Sequence, residues 1–266
     1  MNSDLKIGII GTGNMGSAII KGIVKGISPS DIKVYDTDSE KLKTIKDETG
    51  VTAASGIDEL LPDTDIIILA VKPAIIPSVA ENLKNYDGII LSVAAGVSLD
   101  RLKKAAGEKK LIRAMPNTPA LSGCGMTAIS ASDKVSNEEI TSVIRLLEYT
   151  GRVLLLEEKH MNAVTGLSGS GPAYVFTFIQ ALADAGVKMG LTRSDSLLLA
   201  GQTIYGSAKM FLDKMENPIK LRDNVASPGG TTIEALHSLD RAGFNGIIID
   251  AVESAFNRAK ELEKTS

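Results

Sequence analysis

Lys6-Ile7-Gly8-Ile9-Ile10-Gly11-Thr12-Gly13-Asn14-Met15-Gly16 is the stretch of sequence that decides the fold of this chain. A short apolar run leads into a Gly-x-Gly-x-x-Gly turn, and an apolar-periodic segment from Ala18 to Ile23 follows it, which is the order strand, turn, helix. Gly11 permits the tight turn, Gly13 lets the backbone approach a pyrophosphate, and Gly16 lets the helix pack close to the strand. Because the first N–H groups of such a helix are free to bind phosphate oxygens, the stretch predicts a dinucleotide-binding domain.

The composition narrows the class of protein. The chain has 266 residues, of which 44% are hydrophobic, and a formal net charge of −3. This length is enough for two domains, and the charge gives no electrostatic argument for a nucleic-acid partner. We find no apolar run long enough to span a bilayer, and glycines interrupt the short apolar run near the N-terminus, unlike in a signal peptide. We therefore expect a globular protein with no membrane partner.

Cysteine and histidine are scarce. Cys124 is the single cysteine, so no intrachain disulfide is possible, which fits a cytoplasmic protein. His160 and His237 are far from it in sequence, and we expect Cys124 to be a small buried residue rather than a catalytic thiol. So few soft ligands also predict that the chain has no metal site.

Strand-like and helical segments alternate up to about residue 158, which predicts an α/β domain with a doubly wound, Rossmann-type sheet over residues 1–158. The apolar run from Asp65 to Val71 predicts a strand buried on both faces of a parallel sheet, ended by Lys72-Pro73. Three small residues, Ala94-Ala95-Gly96, follow the next apolar run and permit close approach by a ring or a ribose. Lys72 is a candidate to contact cofactor or substrate, because the carboxyl ends of such strands face the crevice, although a solvated lysine is the commoner case.

Asp36 ends the second predicted strand, about twenty residues after the last glycine of the motif, where an acidic side chain can bind the adenosine ribose. A carboxylate there would also repel a 2′-phosphate, which favours NAD(H) over NADP(H). The alternative is a loop aspartate, since Asp36-Thr37-Asp38-Ser39 is also a good start for a helix. Lys41 and Lys43 lie nearby and could offset the repulsion.

Helical periodicity replaces the strand-like runs from His160 onward, which predicts an all-helical domain over residues 159–266. Ser168-Gly169-Ser170-Gly171-Pro172 is typical of a hinge before a helix. The segment from Leu197 to Leu212 is apolar nearly all round, so we expect it to be buried, in part by another subunit. Between helices, Asp223 to Glu234 carries a glycine pair and several hydroxyls, which suits a carboxylate, although a plain helix start with no ligand explains the loop equally well.

Taken together, these motifs resemble those of the pyrroline-5-carboxylate reductases, and the resemblance covers the whole chain. The matching segments are Gly11–Gly16, Ala70–Pro73, Ala94–Val97, Met115–Pro119, Val164–Tyr174 and Asp223–Thr232. The resemblance implies an oxidoreductase that transfers a hydride from NADPH or NADH to the C=N carbon of 1-pyrroline-5-carboxylate. The product is L-proline, in the last step of proline biosynthesis.

The resemblance also implies roles for individual residues. The cofactor is expected to bind at Gly11, Gly13, Asn14, Met15, Asp36, Ala70, Val71, Lys72, Pro73, Ala94, Ala95, Gly96 and Asn224. The substrate is expected to bind at Glu158, Ser227, Gly230, Thr231 and Thr232. We expect the Thr232 hydroxyl to hydrogen-bond the ring nitrogen, which makes Thr232 the candidate catalytic residue. Imine reduction needs positioning and a proton on nitrogen more than a strong protein base.

A homodimer with interleaved helical domains is implied as well, with a decamer of five dimers as a further assembly. The active site would then combine the first domain of one subunit with the helical domain of its partner. Many members have Ser, Thr, Asn or Arg after the second strand, whereas this chain has Asp36-Thr37-Asp38, so we predict that NADH is at least competitive.

Two other functions remain to be weighed against the reductase. A β-hydroxyacid dehydrogenase would carry a catalytic lysine near the domain boundary, but Lys159 lacks the flanking pattern. A nucleotide-sensing protein would not need the intact loop from Ser227 to Thr232.

Overall fold

The structure is a computed structural model that describes residues 5–265. In it the chain divides into two compact units. Within the described part, the first unit covers residues 5–170 and 254–265, and the second is Gly171–Glu253. None of the described helices is both long and apolar enough to cross a membrane.

One eight-stranded sheet forms the centre of the first unit. Its strands are β1 Ile7–Ile10, β2 Ile32–Tyr35, β3 Thr52–Ala53, β4 Ile66–Leu69, β5 Ile89–Ser92, β6 Lys110–Met115, β7 Gly125–Ala131 and β8 Gly151–Leu155. They lie in the order β3-β2-β1-β4-β5-β6-β7-β8, with β1 to β6 parallel, β7 antiparallel to β6, and β8 parallel to β7. The strand order reverses between β1 and β4, where a doubly wound sheet opens a ligand crevice. The predicted fold class is confirmed.

Alternate side chains of the central strands serve two cores, one on each face of the sheet. In β4, Ile66 and Ile68 belong to one cluster of buried residues. Ile67 and Leu69 belong to the other cluster. All four side chains are fully buried. This explains why the run is apolar at every position, since a strand covered on both faces has no side for polar residues.

Helices connect the strands and make up the second unit. Those of the first unit are α1 Asn14–Ile23, α2 Ser39–Thr49, α3 Ile76–Glu81, α4 Leu99–Ala106, α5 Asn137–Leu147 and α6 Met161–Val164. Those of the second are α7 Gly171–Lys188, α8 Arg193–Lys214, α9 Pro218–Asp223 and α10 Thr231–Arg241. The last helix, α11 Phe244–Thr265, begins in the second unit, and its residues from Ser254 onward belong to the first.

The Gly-Ser stretch predicted as a hinge spans the boundary between the units, with Ser170 as a bend between two helical segments. A π-helical turn, Thr165–Gly169, follows α6 and is followed by α7. A Cβ on Gly169 would lie 2.5 Å from the Met115 Cε atom, so this turn contacts the sheet closely. The compact units divide after Ser170. The functional domain boundary at residue 158 stays a prediction.

Large apolar side chains of the second unit are exposed in the chain taken alone. In α8, Leu198 is 72% exposed and Leu199 is 55% exposed, while only Ser196 and Ala200 are buried. Leucines at that exposure are costly in water, because each buried apolar side chain is worth about 2 kcal/mol. The prediction that α8 is buried by its own chain is therefore wrong. Burial of α8 by another subunit stays a prediction.

Candidate active site

The glycine-rich turn lies at the crevice between β1 and β4. Gly11 has a φ of +101°, and a Cβ there would lie 2.5 Å from the Ala70 carbonyl oxygen, so only glycine fits this position. A Cβ on Gly16 would overlap the Gly11 carbonyl, which keeps α1 close to the turn. A Cβ on Gly13 would meet nothing within 4 Å. Packing within the chain therefore explains why Gly11 and Gly16 are glycines but does not explain Gly13.

Four of the described helices, α1, α3, α6 and α10, begin without a side-chain cap, and of these α1 and α10 begin at glycines. Helices α2, α4, α5 and α8 begin at Asp38, Ser98, Ser136 and Thr192, and each of these side chains accepts a hydrogen bond from a backbone N–H of its helix. Helix α1 begins at Gly13 and α10 at Gly230, where no side chain caps the helix. The first N–H groups of α1 and α10 therefore remain available to an anion.

Asp36 follows β2 directly and binds the glycine-rich turn. Its Oδ2 accepts hydrogen bonds from the Thr12 N–H at 2.6 Å and the Thr12 hydroxyl at 2.9 Å. Its Oδ1 accepts one from the Asp38 N–H at 2.9 Å. A carboxylate has about four acceptor sites, so one on Oδ1 is left for a ligand.

Asp36 is ionised at neutral pH. Partial burial works to raise the pKa of its carboxyl, but the hydrogen bonds from Asp38 and Thr12, with the charge of Lys41, outweigh burial and lower the pKa below its ordinary value. Lys41 itself forms an ion pair with Asp38 at 2.9 Å. The Asp36-Thr37-Asp38-Ser39 segment does start a helix, because Asp38 caps α2.

The other predicted cofactor residues of the first unit follow β4 and β5, the neighbours of β1 on one side. Lys72 is exposed and precedes a short 3₁₀ turn, Pro73–Ile75. In the loop after β5, Ala94 is buried, Ala95 is exposed, and Gly96 has a φ of +75°. The carboxyl ends of β1, β4 and β5 are adjacent, so the structure brings these residues to one edge of the sheet.

Glu158 belongs to a cluster of charges in the first unit. Its Oε1 accepts hydrogen bonds from the Leu99 N–H at 2.6 Å and from an Arg113 Nη1–H at 3.3 Å. The same Arg113 nitrogen contacts Glu263 Oε1 at 2.6 Å. Glu158 also lines a cavity of about 1020 Å³ whose wall includes Leu99 and Leu155.

The loop before α10 lies in the second unit. Gly229 has a φ of +66°, and the Gly230 N–H donates to the Ser227 carbonyl at 3.0 Å. A Cβ on Gly230 would overlap the Ser227 hydroxyl. Thr231 and Thr232 are the first two residues of α10, and Thr232 is half-buried. This arrangement presents hydroxyls together with the free first N–H groups of α10, which suits an anion.

Three residues of these sites were missed from the sequence, and one expectation was wrong. Thr12, Arg113 and Glu263 were not singled out, although an arginine within the apolar β6 run was a usable signal. Cys124 is exposed rather than buried, and it directly follows Gly123, which ends a 3₁₀ segment with a φ of +71°. Among residues 5–265 there is no group of three His, Cys, Asp or Glu side chains placed for a metal ion.

Comparison with known proteins gives consistent matches along the whole chain. Residues 158–262 match the family model "Pyrroline-5-carboxylate reductase dimerisation", and residues 6–96 match "NADP oxidoreductase coenzyme F420-dependent". The chain is 41% identical to the pyrroline-5-carboxylate reductase of Escherichia coli over 266 residues, which covers 98% of this chain and 99% of that protein.

Solved structures agree. A pyrroline-5-carboxylate reductase from Coxiella burnetii is 34% identical, with a TM-score of 0.93 over 97% of this chain and 98% of that one. The pyrroline carboxylate reductase of Plasmodium falciparum, solved with NADP bound, is 35% identical, with a TM-score of 0.87 over 98% of this chain and 99% of that one.

Proposed function

We propose a division of roles among named residues on the premise that this chain belongs to the pyrroline-5-carboxylate reductase family. It reduces the C=N bond of 1-pyrroline-5-carboxylate to give L-proline, and it is an oxidoreductase of proline biosynthesis. The observation that carries this assignment is the 41% identity over nearly the full length of both chains.

The nucleotide site is assigned to the first unit. The open side of Gly13 and the uncapped start of α1 fit a pyrophosphate, so we assign its binding to Gly11, Gly13, Asn14 and Met15. Asp36 is assigned to the adenosine ribose. The ribose and nicotinamide side is assigned to Ala70, Val71, Lys72, Pro73, Ala94, Ala95 and Gly96. When bound, NAD(P)H supplies the hydride that reduces the C=N bond.

The substrate site is assigned to the loop before α10. Gly230 and the N–H of Thr231, at an uncapped helix start, are assigned to the substrate carboxylate, and the Ser227 hydroxyl adds a donor. We assign the Thr232 hydroxyl to a hydrogen bond with the ring nitrogen. This contact orients the ring and positions the nitrogen to carry its proton. Asn224, the residue after α9, is assigned to the cofactor. Glu158 is assigned a place beside the substrate, with Oε2 as the oxygen available there.

The chain forms a homo-oligomer through its dimerisation region. We propose a dimer as the unit, a decamer of five dimers as the larger assembly, and an active site that takes nucleotide residues from one chain and the 223–232 loop from its partner. The exposed leucines of α8 support an extensive contact between copies. We place the enzyme in the cytoplasm, on the support of its single cysteine.

The test of the reaction is oxidation of NADH and of NADPH with and without 1-pyrroline-5-carboxylate, followed for wild type, Thr232→Ala and Thr232→Ser. We expect imine-dependent oxidation by wild type. Thr232→Ala should lower kcat/KM for the imine by about tenfold to 100-fold, the loss of one hydrogen bond to a charged group. Thr232→Ser, which keeps the hydroxyl, should retain most of the activity, and the affinity of all three for nucleotide should be similar.

Two outcomes would contradict these assignments. Unchanged kcat/KM in Thr232→Ala would remove Thr232 from the mechanism. If folded wild-type enzyme binds nucleotide but oxidises neither cofactor in the presence of the imine, the assigned reaction is wrong.

A further inference from the structure

Arg113 is a buried cation in the middle of the sheet. Its neighbours Ile112 and Ala114 are apolar core residues, and Arg113 itself is only 3% exposed. In register beside it are Ser92 of β5 and Ser130 of β7. A guanidinium removed from water is tolerated only when carboxylates and hydrogen bonds compensate for the lost hydration.

Two carboxylates from distant parts of the chain compensate for it. Nη1 of Arg113 is 2.6 Å from Glu263 Oε1 and 3.3 Å from Glu158 Oε1. The other oxygen of Glu263 accepts a hydrogen bond from the Asn162 amide at 2.7 Å. Glu263 is therefore held at both oxygens, and its contact with Arg113 is the shorter of the two ion pairs.

The second carboxylate, Glu158, also contacts the start of α4. Glu158 Oε1 also accepts the N–H of Leu99 at 2.6 Å, and Leu99 is the first residue of α4. Ser98 caps the same helix through the Arg101 N–H. Because the loop Ala94–Ser98 lies between β5 and this helix start, fixing the Leu99 N–H fixes one end of that loop.

We propose that Arg113 and Glu263 are positioning residues that hold Glu158 and, through the Leu99 N–H, set the loop Ala94–Ser98 for the reduced cofactor. The binding of the cofactor at this loop rests on the proposed function, whereas the contacts among Arg113, Glu263 and Glu158 do not depend on it. With Arg113 replaced by an apolar residue, two carboxylates would be left near each other without a cation. Glu158, whose side chain is 32% exposed, would then turn to water and release Leu99.

The competing explanation is a clamp that only stabilises the fold by joining β6 to α11. Both explanations predict a lower free energy of unfolding when Arg113 is replaced. They differ at Leu99, because a clamp between Arg113 and Glu263 has no need of Glu158.

Hydrogen exchange of the cofactor-free, full-length enzyme separates the two, with the Leu99 amide as the readout. The variants are Arg113→Met, Glu158→Ala and the double variant, with Glu157→Gln as a matched control, since Glu157 is an exposed neighbour paired with Lys159. We expect Leu99 to exchange about tenfold faster in either single variant, as for the loss of one charge-assisted hydrogen bond. Adding Arg113→Met to Glu158→Ala should have no further effect on Leu99. Glu158→Gln, which keeps an acceptor oxygen, should retain much of the protection.

A Leu99 amide that exchanges as in wild type, or single effects that simply add, would overturn the proposal. If Arg113→Met does not fold, Glu263→Gln replaces it: it keeps the contact with Asn162 but removes the carboxylate that holds Arg113, and it should also speed exchange of the Leu99 amide.

The affinity for NADPH, measured by nicotinamide fluorescence without turnover, tests what the positioning is for. We expect about fivefold to tenfold weaker binding in Arg113→Met and Glu263→Gln, at unchanged amide protection of β1 and β4. Faster Leu99 exchange with unchanged NADPH affinity would overturn the positioning role and leave a structural clamp. Failure of wild type to reduce the imine would instead count against the proposed function, because the Leu99 measurement needs no substrate.

Discussion

At the scale of single residues, Asp36 has two roles, one within the fold and one proposed in cofactor binding. Its carboxylate holds Thr12 of the glycine-rich turn and is assigned to the adenosine ribose. The same ionised group would repel a 2′-phosphate, and Lys41, already paired with Asp38, compensates only in part. This is the physical basis for expecting NADH to be at least competitive with NADPH.

Asp36→Asn should shift preference toward NADPH. We expect the ratio of kcat/KM for NADPH to that for NADH to rise by about tenfold, because the substitution removes a repulsion worth about 1.4 kcal/mol. Asp47→Asn, a change of another exposed carboxylate on α2, should leave the ratio unchanged. A wild-type kcat/KM for NADPH more than about tenfold above that for NADH would contradict the expectation from the start.

Stability should depend on pH through the same carboxyl. The pKa of Asp36 is lower in the folded chain than its ordinary value of about 3.9, so the ionised group stabilises the fold above that pH, and the contribution is lost as the pH falls through the folded pKa. Urea unfolding should show Asp36→Asn less stable than wild type near about pH 7, with the difference shrinking below about pH 4. A difference that stays constant down to about pH 3 would mean that the pKa is not shifted.

At the scale of elements, substitutions in the turn between β1 and α1 should separate effects on stability from effects on nucleotide affinity. A Cβ on Gly13 has open space and the residue has a φ of −65°, so Gly13→Ala should change the free energy of unfolding by less than about 1 kcal/mol. The methyl group would stand where the backbone approaches the pyrophosphate, and we expect nucleotide affinity to fall by about tenfold or more. Gly16→Ala is the contrasting control, because its Cβ meets the Gly11 carbonyl and should destabilise the fold. Wild-type affinity in Gly13→Ala would argue against a dinucleotide at this turn.

The end of α8 carries a strained residue that can be relieved. Met215 has a φ of +48°, and its N–H donates to the Phe211 carbonyl at 2.7 Å. A left-handed conformation costs a residue with a Cβ about 1 kcal/mol, so Met215→Gly should raise the free energy of unfolding by up to about that amount. Met189→Gly, at an exposed methionine after α7 without a positive φ, should lower it. A less stable Met215→Gly would mean that the Met215 side chain makes contacts in the oligomer that outweigh the strain.

Sequence patterns predicted the elements better than the contacts between them. The order of strands and helices in the first unit follows from local signals, such as the apolar run of β4 and the Asp38 cap of α2. Thr12 and Asp36 meet across 24 positions, and Arg113 and Glu263 across 150, so no periodicity relates them. The exposure of Cys124 was missed for a different reason, since burial of a small residue at the end of a 3₁₀ segment has no signal in the sequence.

At the scale of the whole molecule, the proposed two-chain active site predicts that activity is lost when the oligomer dissociates. Leu198→Glu would place a charge on the exposed face of α8, and burying it unpaired between copies would cost about 3 kcal/mol or more. We expect sedimentation to show smaller species at micromolar concentration, with helical content retained and activity lost. Leu121→Glu is the matched control, a leucine 56% exposed outside residues 158–262, and should leave the assembly intact. An active Leu198→Glu monomer would contradict the proposal that each site needs two chains.

The two hydrogen bonds from Thr12 to Asp36 also limit how a lineage of such enzymes could change cofactor by single mutations. Replacing Asp36 in one step by a residue with no acceptor oxygen would leave the buried Thr12, 3% exposed, without an acceptor for its N–H and hydroxyl. The intermediate would be less stable before any gain with the phosphorylated nucleotide could be selected. A compensating change near Thr12 would therefore have to come first, and the order of substitutions in a family tree should record that constraint.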